Sequence, residues 1–241
     1  MFHRLIIMRI DKFLADNSIG TRKEIKTFIK AGRVLANGEP VNDPGMHIDP
    51  DTDGISFDGR TLEYEKFHYY MLNKPAGTVS STREGASVTV VELLAEEGVK
   101  NLSPVGRLDK DTEGLLLLTD DGELLHDLIS PKKHVGKEYL VITEKPVSDE
   151  DIGKLEAGVD IGDDKPTLPA KAEMKDDGLH LTITEGRFHQ VKRMLEAVDN
   201  KVTYLKRLKM GELVLDTALK GGEYRKLTAA ELALIKGKSY K

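Results

Sequence analysis

Residues 106 to 124 read GRLDKDTEGLLLLTDDGEL. The run Leu115 to Leu118 is apolar and bounded on both sides by turn residues, the pattern of a short buried strand. Asp109 therefore falls in a Gly- and charge-rich turn directly ahead of a core strand, on a loop that the strand would hold rigidly. A second stretch, EGRFHQVKRML from Glu185 to Leu195, supplies the basic side chains a carboxylate needs if it is to stay ionised in a pocket. The two stretches read as halves of one site.

The first stretch also satisfies much of a calcium-loop pattern, with Asp109, Asp111 and Glu113 at positions one, three and five, Gly114 at six and Asp120 at twelve. Its flanks argue against that reading. A calcium hand needs a helix on each side, whereas 101 to 108 has no helical period and 115 to 119 reads as strand. Asp111 and Glu113 are then turn formers or solvated charges, and no metal is expected.

The chain of 241 residues is long enough to bury a sizeable core without disulfides. It has no cysteine, which removes thiolate nucleophiles, disulfide frameworks and Cys-based zinc sites together. Residues 2 to 10 are too short an apolar stretch for a signal peptide, and no run approaches the roughly 20 residues of a membrane span. A cytoplasmic protein is expected, with no membrane partner.

The net charge of -5 conceals an uneven distribution. Residues 1 to 38 carry Arg4, Arg9, Lys12, Arg22, Lys23, Lys26, Lys30 and Arg33 against only Asp11, Asp16 and Glu24. Residues 39 to 66 are strongly acidic. A concentrated basic face on a near-neutral protein suits phosphate contacts, and a solvated helix face is the plainer alternative. Thr21 followed by Glu24 is a capping-box pattern opening a helix through Ile25, Phe28 and Ile29, with Lys23, Lys26 and Lys30 sharing a face. Val34 to Ala36, the pair Asn37-Gly38, then Pro40-Val41 read as a short hairpin. This helix, basic helix and RVLANGEPV hairpin resembles the S4 RNA-binding module. The resemblance implies RNA bound through Arg9, Lys12, Arg22, Lys23, Lys26, Lys30 and Arg33. The acidic stretch from 43 to 58 and from 63 to 66 reads as the linker zone.

From His68 onward strands and helices interleave. HYYMLNK reads as a strand ending at Pro75, as do 115 to 119, 138 to 143, 179 to 184 and 212 to 215. Helices are expected at 88 to 97, 124 to 129, 149 to 157, 189 to 198 and 229 to 236. The class is α+β: a small S4-like domain (1 to 66, with the acidic linker region), then a larger catalytic domain (67 to 241). The larger domain would carry a mostly antiparallel mixed sheet flanked by helices.

Five motifs of the larger domain, LNKPAG, GRLDKDTEGLLLLT, GKEYLV, EGRFHQVKRM and GGEYRKLT, stand in the order found in the RsuA-like ribosomal pseudouridine synthases, and with the S4-like segment the resemblance spans nearly the whole chain. It implies that Asp109 is the catalytic aspartate, Tyr139 packs against the target base, Lys192 is the aspartate's basic partner and Leu205 is an apolar wall. Arg107, Leu108 and Arg187 would complete the substrate pocket, and Arg193 would contact RNA. Lys192 and Arg193 are adjacent on a helix and cannot face the same way; Lys192 borders the apolar side of Phe188, Val191 and Leu195.

The reaction exchanges an N1–C1′ bond for a C5–C1′ bond with no redox change, so no cofactor is expected. It needs an ionised carboxylate as nucleophile or base, and a base out of its stack on an aromatic platform. The implied partner is ribosomal RNA or a ribosomal subunit assembly intermediate, and the expected form is a monomer. The wording of YYMLNKPAG and EGRFHQVKRM is most similar to the small-subunit (16S) type. The competing readings are a large-subunit (23S) enzyme and a non-catalytic S4-type RNA-binding or ribosome assembly factor, the latter opposed by an intact Asp109, Tyr139 and Lys192.

Overall fold

The computed structural model describes residues 7–83, 85–99, 101–130 and 133–236; Arg4 lies outside the described residues. The chain folds as two compact units, Met1–Phe67 with Gly98–Lys100, and His68–Glu97 with Asn101–Lys241.

The first unit runs β1 (Met8–Arg9), α1 (Ile10–Asp16), α2 (Arg22–Lys30), β2 (Val34–Ala36), β3 (Glu39–Pro40), β4 (His47–Ile48), β5 (Ile55–Phe57) and β6 (Arg60–Leu62). Thr21 and Glu24 close a reciprocal capping box at the start of α2. Ile25 and Ile29, one turn apart, are buried with Ile10, Phe13, Leu14, Val34, Ile48 and Ile55 in one apolar core. Helical periodicity then turns Arg22, Lys23, Lys26 and Lys30 outward, and all four are exposed.

From 43 to 58 the acidic stretch is not a linker, whereas 63 to 66 carries no strand or helix and leads up to the boundary after Phe67. β4 pairs with β1, while β5 joins β2 on one side and β6 on the other, in the four-stranded order β3-β2-β5-β6. Its aspartates fold the connections: the Asp43 carboxylate accepts from Gly45 N, Asp49 from Asp51 N and Asp53 from Asp49 N. The apolar residues set among them, Ile48 and Ile55, go into the core.

The second unit holds β7 (Tyr69–Lys74), β8 (Ser103–Pro104), β9 (Glu113–Thr119), α3 (Gly122–Ile129), β10 (Lys137–Thr143), α4 (Asp149–Ala157), β11 (Lys171–Lys175), β12 (Gly178–Ile183), α5 (Gln190–Glu196), β13 (Val202–Met210), β14 (Leu213–Val214), β15 (Tyr224–Lys226) and α6 (Ala229–Lys236). The sheet order is β11-β12-β10-β13-β9-β7-β15, with β14 on β13 and β8 on β9. Every pairing is antiparallel except β13 with β9, making a mixed sheet. All six residues of β7 and the last six of β9 are buried, as expected of central strands covered on both faces.

The expected helix over 88 to 97 is a shorter 3-10 segment, Glu92–Glu97, broken at Leu94. Val88 and Val90 instead bracket an extended contact with Val79, and a reciprocal Thr89–Glu92 cap delays the helical start. The α5 helix begins one residue later than expected, because His189 adopts a left-handed conformation.

Candidate active site

The Asp109 loop is built by its neighbours. Ser80 Oγ donates to the Leu108 carbonyl and accepts from the Leu108 N–H, both at 3.0 Å, and Gly77 N–H donates to the Lys110 carbonyl at 2.7 Å. Lys74, at the end of β7, is fully buried beneath the loop. Its ammonium donates to the carbonyls of Thr112 (2.8 Å), Pro75 (3.1 Å) and Lys110 (3.3 Å). The KPAGTVS segment thus fixes the loop backbone on both sides of Asp109.

Burial holds the Lys74 ammonium down to about 8, against the opposing pull of Asp111, Asp109 and Glu113. The ordinary value is 10.5, so between about 8 and 10.5 the unfolded chain binds more protons than the folded one. Stability from this group therefore rises with pH across that window. In urea unfolding, the wild type is expected to gain stability relative to Lys74→Met between about pH 8 and 10; a constant difference would remove Lys74 as the titrating group.

Lys192 Nζ lies 3.4 Å from Asp109 Oδ2, an ion pair with the expected partner. Its hydrogen bonds, however, go to Asp111, at 2.6 and 2.9 Å. Asp111 is exposed, and the lysine beside it holds its carboxyl below the usual range. Asp111 is thus more than a solvated turn residue, because it shares the cation. His189 Nε2 stands 3.6 Å from Asp109 Oδ1 on the other side.

A cavity of about 700 Å³ opens beside the loop, lined by Arg107, Leu108, Asp109, Tyr139, Arg187 and Leu205 among others. Sheet register explains part of this convergence. Tyr139 of β10 is paired with Arg207 of β13, and Leu205 lies two residues along the same strand, so the three share a face. Lys192 is not among the lining residues. Arg107 is exposed and makes no hydrogen bond or ion pair with any described residue.

Arg187 and Arg193 do not present free guanidinium groups. Arg187 donates to the Lys165 and Pro166 carbonyls and to Glu185, while Arg193 donates to Phe188 O, Ile161 O and Asp163. Both are committed to bracing the cavity rim against residues 161–166. In the first unit Arg9 is paired with Asp11, Lys12 with Asp16 and Arg33 with Asp58, the last also stacked over Phe28 and Phe57. Of the seven basic residues expected to contact RNA there, Arg22, Lys23, Lys26 and Lys30 alone form no side-chain hydrogen bond or ion pair among the described residues.

Arg207, read from the sequence as one of a run of basic side chains from Arg187 to Lys209 that would grip flanking phosphates, is instead buried at the cavity, and the half-buried Lys137 beside it had no role in that reading. Arg207 is 1% exposed, its Nε donates to the Leu115 carbonyl at 2.7 Å, and its Nη2 has no hydrogen-bond partner among the described residues. Lys137, which donates to the Val135 carbonyl, is pushed down to about 8 by burial and then by Arg207, with Glu185 opposing. A cavity lined by the Asp109 and Glu185 carboxylates, the Tyr139 ring, an apolar wall and inward-facing cations suits a polar, planar ligand whose carbonyl oxygens need donors. Among the described residues no group of three or more His, Asp or Glu side chains could hold a metal ion.

The chain matches the family model described as RNA pseudouridylate synthase over residues 68–197, and that of the S4 domain over residues 8–53. It is 52% identical to a Bacillus subtilis (strain 168) protein described as an uncharacterized RNA pseudouridine synthase, over 95% of this chain and 98% of that one. It is 41% identical to ribosomal small subunit pseudouridine synthase A of Escherichia coli (strain K12), over 95% and 100%. A solved pseudouridylate synthase, 42% identical, superposes with a TM-score of 0.66 over 95% of this chain and 99% of its own.

Proposed function

The chain belongs to the RNA pseudouridylate synthase family, with an S4 domain ahead of the synthase domain, and from that membership we propose that it isomerises one uridine of small-subunit (16S) ribosomal RNA. The observation that carries the chemistry is Asp109, held on a braced loop at the cavity wall with Lys192 at 3.4 Å. The ribosomal small-subunit names of relatives 41–43% identical over nearly their full length support the choice of RNA. No helix among the described residues is long and apolar enough to cross a membrane. We take the working form to be a cytoplasmic monomer acting on rRNA or on a subunit assembly intermediate.

In this reading the target nucleotide leaves its stack and its uracil enters the cavity between Tyr139 and Leu205. The Asp109 carboxylate acts on the nucleotide as nucleophile or base, with Lys192 as its ion-pair partner. The uracil is released from C1′ at N1, turns within the cavity and rejoins through C5, which then gives up its proton while N1 takes one, so that the exchange is a net isomerisation. Lys137 and Arg207 offer donors to its carbonyl oxygens, which keeps the detached base oriented.

Pseudouridine mapping of small- and large-subunit RNA, from cells lacking this chain and rescued with wild type or Asp109→Asn, tests the proposal. One 16S site lost and restored only by wild type is the expected result. A lost 23S site would move the substrate, and an unchanged map would refute the ribosomal reading.

The four exposed cations of α2 are assigned to RNA phosphates. Each phosphate contact contributes about 0.7 to 0.9 to the slope of log affinity against log salt. The Lys23→Ala/Lys26→Ala/Lys30→Ala protein is therefore expected to lose about 2 to 3 from that slope, with cavity chemistry preserved. Fluorescence anisotropy of a labelled rRNA fragment from about 50 to 200 mM salt measures it, and an unchanged slope would take α2 out of the interface.

A further inference from the structure

Phe188 is 75% exposed, the highest value for a large apolar side chain among the described residues. Its exposure is not that of a loose loop. The Phe188 carbonyl accepts from Arg193 Nη1 at 3.0 Å, the Gln190 carboxamide oxygen accepts from Arg187 N–H and its nitrogen donates to Glu185, and Arg187 ties the same turn to residues 165 and 166. The backbone is pinned while the ring is left in water.

The ring lies flat on the His189 imidazole, with centroids 3.8 Å apart and an angle of 18° between planes. His189 in turn has its Nε2 3.6 Å from Asp109. It holds a left-handed backbone (φ 48, ψ 34) and gives no side-chain hydrogen bond to cap α5. That conformation is disfavoured for a non-glycine residue. Both rings line the cavity. The arrangement is a two-ring stack running outward from the reactive carboxylate, with the outer face of Phe188 uncovered.

An uncovered aromatic face needs a flat, apolar partner, and the cavity beside it handles nucleotides. Taking a uridine out of its stack exposes the face of the neighbouring base, and base–aromatic stacking is tolerant of sequence because every base has a π-face. Arg107, exposed on the same cavity and without a hydrogen bond or ion pair among the described residues, is the available cation for the adjoining phosphate.

We propose that the Phe188–His189 pair is a binding site for a nucleobase of the RNA strand, the base next to the one that enters the cavity, and that it stabilises the RNA once the target uridine has left its stack. This rests on the reading of Asp109 and its cavity as the isomerisation site. Phe188 is a positioning residue here and touches none of the reacting atoms.

The test compares wild type with Phe188→Ala, Phe188→Tyr and Phe188→Leu. Pseudouridine formation is followed on a 16S rRNA transcript, and fluorescence on a short oligouridylate carrying one 2-aminopurine, which stacking quenches. Melting temperatures should be the same for all four, since the side chain is exposed. The alanine and leucine proteins are expected to lose about tenfold or more in kcat/KM and, at saturating protein, most of the quenching, and to bind the oligonucleotide about fivefold or more weakly by anisotropy. Tyrosine, which keeps the ring, should retain both readouts. Leucine equal to tyrosine, or alanine equal to wild type, in either assay would overturn the stack. If wild type leaves the 16S transcript unmodified, the ribosomal reading has failed, and the quenching series alone decides the stacking site.

Discussion

Asp109→Asn is expected to form no measurable pseudouridine, a loss of about 10⁴-fold or more, the scale reached when a nucleophile or base on which a reaction depends is removed. The amide keeps the shape of the carboxylate but can neither attack carbon nor take a proton. The loop around it should survive, because its supports do not run through that side chain. Lys74, Ser80 and Gly77 hold backbone atoms, and Lys192 keeps its hydrogen bonds to Asp111. RNA binding should be unchanged or slightly tighter, since one negative charge near phosphates is gone. Asp111→Asn is the control. It releases Lys192 to Asp109, so its activity should fall by less than about tenfold, below the roughly 10²- to 10⁴-fold loss expected of a general acid–base group. Residual turnover by Asp109→Asn, or equal losses in the two variants, would transfer the role from Asp109.

Much of this site was legible because its residues lie in motifs with local signatures. The Asp109 turn is marked by the leucine run after it, and α2 by a capping box and a helical spacing of lysines. The basic residues whose place the sequence did not give share one property: they sit on central strands of the sheet. VTYLKRLKM sets basic and hydroxyl side chains between its apolar ones, so Arg207 reads as one of several cations available to RNA phosphate. Yet β13 is central to the sheet, with Arg207 among the most deeply buried side chains. Lys74 likewise ends an apolar run, and nothing local to it shows that three carbonyls surround its ammonium. Buried cations of this kind are specified by contacts between segments far apart in the chain, here 74 with 112 and 207 with 115, and no local pattern announces them. The acidic stretch after residue 43 failed for the opposite reason. Aspartates that fold tight connections have the same composition as those of a linker, and only the pairing of β5 with β2 separates the two. Arg187 and Arg193 show that charge alone does not identify a ligand contact, since the carbonyls of residues 161, 165 and 166 claim their donors first.

The strand that sequence reading missed also explains the glycine after Glu113. Gly114 has φ +100 and sits at the point where β9 and β13 come together in parallel, paired with Arg207. A Cβ there would meet Arg207 O at 2.2 Å and Arg207 N at 2.8 Å. Both are backbone atoms of a central strand, so no rotamer change relieves the overlap. Gly114→Ala must therefore part β9 from β13 or tilt the loop that leads into β9. The cost is expected to be about 3 kcal/mol or more, from overpacking added to a disfavoured φ. Activity should fall by more than the folded fraction explains. Asp109 enters from β9 while Tyr139, Leu205 and Arg207 depend on β13, and a displacement of about 1 Å between reacting groups costs on the order of 10²-fold. Gly106, in the same loop, separates the two causes. Its φ is +75, but the nearest atom to a built Cβ is Ile129 Cγ2 at 3.8 Å, an ordinary contact. Gly106→Ala thus carries the backbone penalty alone, about 1 to 2 kcal/mol. Urea unfolding and kcat measured on both proteins decide the matter. A Gly114→Ala loss clearly larger than that of Gly106→Ala follows from strand contact, whereas equal losses would mean that the approach of β13 to Gly114 does not set the position of Asp109.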